Sequence, residues 1–295
     1  MRSHSNKRIM QANILIVGCG DLGREVARLL VNDGMHVTGV RRSNQTLQGC
    51  QIFQADVTKP ETLNKLAETN PDILIYCVAA DTYTDDSYRS HYVDGLSNTL
   101  QALKFSSTLR HVFFVSSTGV YGQEIEDVLD ETVLAIPKGF NGERMLQAEA
   151  SLNDPSLVPA QVNTTILRFS GIYGLGRTRM LKLAAEPENW PASNAWTNRI
   201  HRDDGAAFIR FLIHRALSAQ AVDEIYLVTD SLPVAQYDVL LWIASKLGKD
   251  VSAIKVPAVL GNKRLSNQRM LSSGYKLIYP DYQAGYQSLL DASRL

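Results

Sequence analysis

Asn13-Ile-Leu-Ile-Val-Gly18-Cys-Gly20-Asp-Leu-Gly23-Arg-Glu-Val26 decides the fold. A short apolar run ends in Gly-x-Gly-x-x-Gly, and apolar residues at helical spacing follow at once. That order fits a strand–turn–helix corner that binds a dinucleotide. Gly18 permits the tight turn, Gly20 lets the main chain approach a pyrophosphate, and Gly23 lets the helix pack close to the strand. The backbone N–H groups of Asp21, Leu22 and Gly23, at the positive end of the helix, then face the phosphates.

Working outward, residues 22–32 put Leu22, Val26, Leu29 and Leu30 on one helical face, and Asp33-Gly34 ends the helix. Strands are predicted at 36–40, 51–54, 72–78, 111–116 and 164–167. Helices are predicted at 59–69, opened by Pro60, and at 87–106. Runs apolar on both faces, separated by helices, imply a parallel sheet covered on both sides. Right-handed crossovers then give a doubly wound α/β domain of the Rossmann type. Residues 13–174 form this domain, with 203–230 contributing. Residues 175–295 form a smaller C-terminal lobe, read as substrate-binding and as a lid. Within it come a long loop with a short helix (175–201), helices at 203–219 and 234–247, and strands at 224–228 and 251–256. The polar residues 1–12 read as a disordered extension.

Bulk properties narrow the function. The 295 residues suffice for one large domain or two modest ones, and the formal net charge is zero. A neutral chain gives no reason to expect a nucleic-acid or anionic-membrane partner. No apolar run approaches the ~18 residues of a membrane span, and residues 1–12 lack the apolar core of a secretory signal. The expected location is cytoplasmic. Cys19, Cys50 and Cys77 are odd in number and far apart, which argues against a disulfide framework. Neither Cys-x-x-Cys nor His-Glu-x-x-His occurs, so spacing assigns no metal site. Cys19 sits near a helix N-terminus that would lower a thiol pKa; alternatively it is a small residue filling a crowded turn.

The second strand runs Val37-Thr-Gly-Val40-Arg41-Arg42-Ser43. A site selective for NAD places Asp or Glu near here to bond the ribose 2′-OH. Two arginines stand there instead, and a guanidinium can pair a 2′-phosphate in a fork. The expectation is NADP(H) in preference to NAD(H), the alternative being that Arg41 and Arg42 are solvated loop charges.

The order of further motifs resembles the extended, epimerase/dehydratase-like class of the short-chain dehydrogenase/reductase superfamily, over residues 13 to about 205. Ala55-Asp56-Val57 resembles the segment that contacts adenine. Cys77-Val78-Ala79-Ala80 resembles the Asn-Ala-Ala under the cofactor. Val93-Asp-Gly95-Leu-Ser-Asn98 resembles the Asn-Val-x-Gly-Thr-x-Asn of the long helix, with Tyr92 in place of its first Asn. Phe114-Val-Ser116-Ser117-Thr-Gly-Val120-Tyr121-Gly122 is similar to the Ser-Ser-x-x-Val-Tyr-Gly strand end. Leu167-Arg168-Phe-Ser-Gly171-Ile172-Tyr173-Gly174 is similar to the turn around the nicotinamide, and Ile200-His201-Arg-Asp203-Asp204 to a later Ile-His-Val-Asp-Asp. The resemblance implies cofactor contacts from Asp56, Val57, Val78, Ala79, Ala80, Ser116, Ser117, Gly171 and Ile172. It also implies a small-molecule substrate, and a homodimer through the helices near 87–106 and 141–153.

In that class a tyrosine, and a lysine four residues later, do the acid–base work beside a serine. Ser117 matches the serine. Phe140 stands where the tyrosine is expected and Arg144 where the lysine is, and no shift of one or two residues brings a tyrosine into this helix. Phenylalanine has no proton to give, whereas arginine can still hold ribose hydroxyls. The chain then resembles atypical, nucleoside-diphosphate-sugar epimerase-like members without the pair. Their C-terminal pattern also resembles Leu265-Ser-Asn-Gln…Gly274-Tyr-Lys-Leu-Ile-Tyr279-Pro280…Gly285. Ser117, Tyr173 and Arg144 are the catalytic candidates. His201 is a candidate proton shuttle, Arg168 a brace or anion ligand, and Arg177 and Arg179 a solvated face or an anion contact. Two functions remain open: an NADP-dependent oxidoreductase or epimerase acting on a sugar-nucleotide-like or carbonyl substrate, and a catalytically inactive NADP(H)-binding regulator.

Overall fold

Ile14, Leu15, Ile16 and Val17 are all buried, so β1 (Asn13–Val17) is covered on both faces, as a central parallel strand must be. α1 (Asp21–Asn32), β2 (His36–Arg41), β3 (Cys50–Gln54) and β4 (Ile73–Tyr76) follow. α2 (Asp85–Tyr88) runs through a π-helical segment, Arg89–Asp94, into α3 (Gly95–Leu103). Next come β5 (His111–Ser117), β6 (Val128–Leu129), α4 (Phe140–Ser151), β7 (Asn163–Phe169), β8 (Gly171–Tyr173) and α5 (Arg179–Ala185). After β9 (Trp196–Thr197) and β10 (Arg199–His201) lie α6 (Arg202–Leu217), β11 (Ile225–Val228), β12 (Val234–Ala235) and α7 (Gln236–Lys246). β13 (Arg264–Leu265), α8 (Gln268–Ser272) and α9 (Tyr282–Ala292) complete the computed structural model, which describes residues 11–124 and 127–292.

The main sheet has the order β11-β7-β5-β4-β1-β2-β3. β1 pairs in parallel with both β2 and β4, Val17 lying opposite Val40 on one side and Tyr76 on the other. The chain winds from β1 through β3 in one direction and from β4 through β11 in the other. This is the doubly wound α/β sheet expected from the sequence, with its switch point between β1 and β4. Among the described residues no helix is long and apolar enough to cross a membrane. Residues 1–10 of the predicted extension lie outside the described residues. Ala12 is buried, and its carbonyl accepts the His36 N–H.

Two compact units divide the chain. The first comprises the residues up to Tyr121, Ala135–Arg168 and Ala206–Tyr226; the second comprises Gly122–Leu134, Phe169–Gly205 and Leu227–Leu295. Several local elements differ from expectation for identifiable reasons. The helix predicted at 59–69 is two 3-10 turns, Pro60–Leu63 and Leu66–Thr69. Thr62 Oγ1 bonds the carbonyls of Asp56 and Lys59 and receives the Asp56 N–H, and such local bonds compete with a helix. The long helix predicted at 87–106 is broken by the π segment and ends at Leu103. The strand predicted at 251–256 is an irregular turn: Ile254 N–H bonds the Val251 carbonyl, and Asp250 caps Ser252.

The first unit buries the ion pair of Arg168 with Glu149. Arg168 forks onto Glu149 (Nε to Oε1 3.0 Å, Nη2 to Oε2 2.6 Å), donates to the Tyr121 hydroxyl, and shares Glu149 with Ser116. Asp33, closing α1, accepts from Arg210 and His214 on α6 at 2.6 and 2.7 Å. The second unit packs α5, α7 and α9 around Tyr173, Leu240, Ile243 and Tyr286. It also buries Asp204, whose carboxylate accepts the N–H groups of Ile278 and Tyr279 and the Tyr275 hydroxyl. Asp230 is less well served. One oxygen accepts the Leu232 N–H, while Oδ2 has no partner. Burial pushes its carboxyl up to about 7 against the pull of Arg199.

Glu149→Gln should cost about 3–5 kcal/mol in urea unfolding, because it leaves the Arg168 charge buried without a counter-charge. Asp230 should give a pH signature. Its folded pKa lies above the unfolded value of 3.8, so the unfolded state loses its proton first and stability falls as pH rises from about 4 to about 7. The loss should reach on the order of 4 kcal/mol and then level off. Asp230→Asn should flatten that part of the curve in thermal melts between pH 4 and 8.

Candidate functional site

The corner after β1 has the geometry its three glycines require. Gly18 adopts φ +96°, in the left-handed region that favours glycine. A Cβ there would lie 2.6 Å from the Cys77 carbonyl, so the end of β1 abuts the chain leaving β4. Gly23 lies too tight against the Gly18 carbonyl for any side chain. Gly20 is the opposite case, with nothing within 4 Å of the position a Cβ would take. It stands at the N-cap of α1, which no side chain caps. The corner therefore presents main chain to open space at a helix N-terminus, which suits a diphosphate. Cys19 fills the crowded side of this turn. It is buried, and burial pushes its thiol up to about 12, which removes any lowered-pKa reactivity.

Cys77 Sγ donates to the Gly18 carbonyl at 3.1 Å, joining the corner to the segment Val78-Ala79-Ala80. The N–H of Ala80 meets the Tyr92 hydroxyl at 3.4 Å. After β3, Asp56 Oδ1 accepts the N–H and hydroxyl of Thr58 (3.0 and 2.7 Å). Burial works against its charge, but these bonds and Arg42 hold the carboxyl below the usual carboxylate range. Asn98 on α3 donates to the Val57 carbonyl at 2.9 Å and so fixes this loop. At the end of β2, Arg41 bonds Gln45, and Arg42 forks onto Asp81 (2.5 and 2.8 Å). The first unit thus gathers Gly18–Gly23, Arg41, Arg42, Asp56, Val57 and Val78–Ala80 at the carboxyl ends of four neighbouring strands. Open α/β sheets bind ligands at that edge, beside the switch point. These residues fit a pyridine dinucleotide: the corner for the diphosphate, and the ends of β2 and β3 for the adenosine half.

Of the catalytic candidates, Ser117 and Arg144 belong to the first unit and Tyr173 to the second. Ser117 Oγ accepts the Gly119 N–H at 3.0 Å and caps the turn Thr118–Val120, which leaves its hydroxyl hydrogen available to a ligand oxygen. Ser116, expected at the cofactor, instead donates to Glu149 at 2.5 Å and is buried with it. Arg168 is a brace. Phe140, at the first turn of α4, packs against Tyr83 and Tyr88 with ring centroids 5.0 and 5.5 Å away. Arg144 forks onto Asp85 (2.7 and 2.8 Å) and reaches Gln147.

Gly171, Ile172 and Tyr173 belong to the second unit. The Tyr173 hydroxyl is buried without a partner and is pressed against Gly285; burial raises its pKa. A phenol sealed this way within its own unit's core is a poor proton donor. His201 Nδ1 accepts the Asp203 N–H at 3.2 Å, a capping role that needs the neutral ring, and burial lowers its pKa accordingly.

Sequence reasoning missed Asp81, Asp85 and the ring cluster of Tyr83, Tyr88 and Tyr92. Only Tyr92 carried a signal, as the departure from the first Asn of the helix motif. Asp81 directly follows Ala80, yet nothing in its own position announces Arg42 as its partner.

Comparison with known proteins agrees with this geometry. Residues 14–220 match the model of the NAD dependent epimerase/dehydratase family. A candidate NAD-dependent epimerase/dehydratase from Methylobacillus flagellatus is 54% identical, with a TM-score of 0.87 over 96% of this chain and 99% of that one. A candidate epimerase from Burkholderia cenocepacia is 21% identical, with a TM-score of 0.78 over 96% of this chain and 98% of that one. UDP-glucose 4-epimerase from Thermus thermophilus, solved in complex with NAD, is 18% identical, with a TM-score of 0.72 over 92% of this chain and 96% of that one. The last two share the fold. A search of curated proteins gave no match. With the family match covering most of its length and a relative this similar, the chain belongs to the NAD-dependent epimerase/dehydratase family.

Proposed function

We propose that this family member is an NADP(H)-binding oxidoreductase of the epimerase/dehydratase type, acting on a sugar-nucleotide-like or carbonyl substrate without a Tyr-x-x-x-Lys pair. The observation that carries the reading is the glycine corner, with open space before Gly20 and tight packing behind Gly18 and Gly23. The cofactor, when bound, supplies hydride chemistry. The chain's own contribution starts with the main chain of Gly20–Gly23, which holds the diphosphate. Arg41 and Arg42, at the end of β2, favour a 2′-phosphate over a 2′-OH. Ser117 donates its remaining hydroxyl hydrogen to a substrate oxygen. Arg144 supplies positive charge to ribose hydroxyls by sharing its fork with Asp85. The smaller unit carries substrate recognition, α3 and α4 carry a homodimer contact, and the protein works in the cytoplasm.

A second reading is favoured by one specific observation. Where a phenol is expected, Phe140 is built into a ring cluster, so the first turn of α4 offers packing and no proton. On that reading the protein is an NADP(H)-responsive regulator without turnover.

Gly20→Val tests the shared core of both readings. The fold has room for this side chain, so the thermal midpoint should stay close to that of the parent, while NADPH affinity measured by fluorescence titration should fall by roughly tenfold or more. Unchanged affinity would sink the nucleotide assignment. Turnover separates the two readings. Net loss of NADPH absorbance with small carbonyls, or coenzyme-dependent conversion of a sugar nucleotide to an epimer or dehydrated product followed by chromatography, slowed about 10²-fold by Ser117→Ala, identifies the enzyme. No turnover of either kind, with NADPH binding intact, identifies the regulator.

A further inference from the structure

Arg42 is one of the two arginines on which the preference for a 2′-phosphate rests, and it is already engaged. Its Nη1 and Nη2 meet Asp81 Oδ2 and Oδ1 at 2.5 and 2.8 Å. A phosphate would use those same two N–H groups in the same planar fork. The pair is exposed, with 59% of the Arg42 side chain and 46% of the Asp81 side chain accessible, so a ligand from solvent can reach it. Arg42 is held at its backbone by Gln54, whose amide donates to the Arg42 carbonyl at 3.0 Å. Exchange therefore needs only side-chain movement.

Asp81 has a second neighbour. His91 Nε2 lies 3.3 Å from Asp81 Oδ2, while His91 Nδ1 sits 2.8 Å from the Ser87 carbonyl. A carbonyl can only accept, so Nδ1 carries the hydrogen. With the hydrogen on Nδ1, a neutral His91 ring offers Asp81 no donor at Nε2, so the Arg42 fork is what holds the Asp81 carboxylate.

Resting on the nucleotide reading above, we propose that Asp81 sets the coenzyme selectivity of this protein, by competing within the molecule for Arg42 against the 2′-phosphate of NADP(H). Asp81 occupies the fork in the free protein, so a 2′-phosphate has to displace it. A 2′-hydroxyl carries no charge and does not require the fork, so NAD(H) binding escapes the competition. Selectivity is then a balance between an attractive arginine and a neighbour that competes for it. Removing the neighbour should shift the balance toward NADP(H).

The test is a double-mutant cycle in coenzyme affinity, read by fluorescence titration with NADPH and NADH on folded protein. Asp81→Asn should tighten NADPH binding by about fivefold, the upper range for an exposed ion pair, and leave NADH unchanged. Arg42→Ala should weaken NADPH roughly tenfold or more. In the Arg42→Ala background, Asp81→Asn should have no further effect on NADPH. If Asp81→Asn leaves NADPH affinity unchanged while Arg42→Ala weakens it, the competition is refuted and the 2′-phosphate reading survives. An equal gain for both coenzymes, or a gain that persists without Arg42, refutes it as well. If Arg42→Ala changes nothing while both coenzymes bind, the competition is refuted; if Arg41→Ala added to it also changes nothing, the 2′-phosphate reading itself fails. Binding of neither coenzyme by the parent removes both.

Discussion

The architecture of the first unit depends on one close approach. The backbone at Gly18 lies against the backbone of Cys77 and Val78, nearer than any Cβ would allow. This contact turns the chain sharply off β1 while holding the end of β4 beside it. The start of α1, the loop after β4 and the glycine main chain are consequently held at one edge of the sheet. Parallel pairing of β1 with both neighbours fixes the strands that carry these loops. The loops inherit their positions from the strands, as expected of a rigid sheet that carries its chemistry on connections.

Charge is handled differently in the two units. In the first, the buried charges of Glu149 and Arg168 neutralise each other, and Ser116 and Tyr121 take up further bonding capacity. A buried pair of this kind is costly to desolvate but still costlier to break. In the second, Asp204 is satisfied by two main-chain N–H groups and a tyrosine, whereas atoms of Tyr173, Arg199, His201 and Asp230 are buried without partners. Two of these lie on β10, which pairs with β8 and its Tyr173. Their burial makes them structural elements that tolerate imperfect bonding.

Most of the fold was legible because its signals are local. The Gly-x-Gly-x-x-Gly corner, the run Ile14–Val17 and the Asp33-Gly34 stop each depend on a few consecutive residues. Elements failed where side chains intervened, as Thr62 does when it breaks a helix into turns. The strand expected at 251–256 failed because apolar residues there find no ladder. The placement of the glycines and of Asp56, Val57 and Ala80 at one sheet edge was legible, because it follows from the strands that precede them. The site was illegible wherever partners lie far apart in sequence: Arg42 with Asp81, Arg144 with Asp85, Ser116 with Glu149. A single sequence shows the charges but not which of them meet.

Gly285 has a wider meaning than its place in α9 suggests. The Tyr173 hydroxyl occupies the space any side chain on Gly285 would need, so the two residues share one volume. Neither can be altered freely while the other stays as it is. In lineages descended from this protein, enlargement at 285 should therefore travel together with a smaller residue at 173, and the two codons should drift as a linked pair.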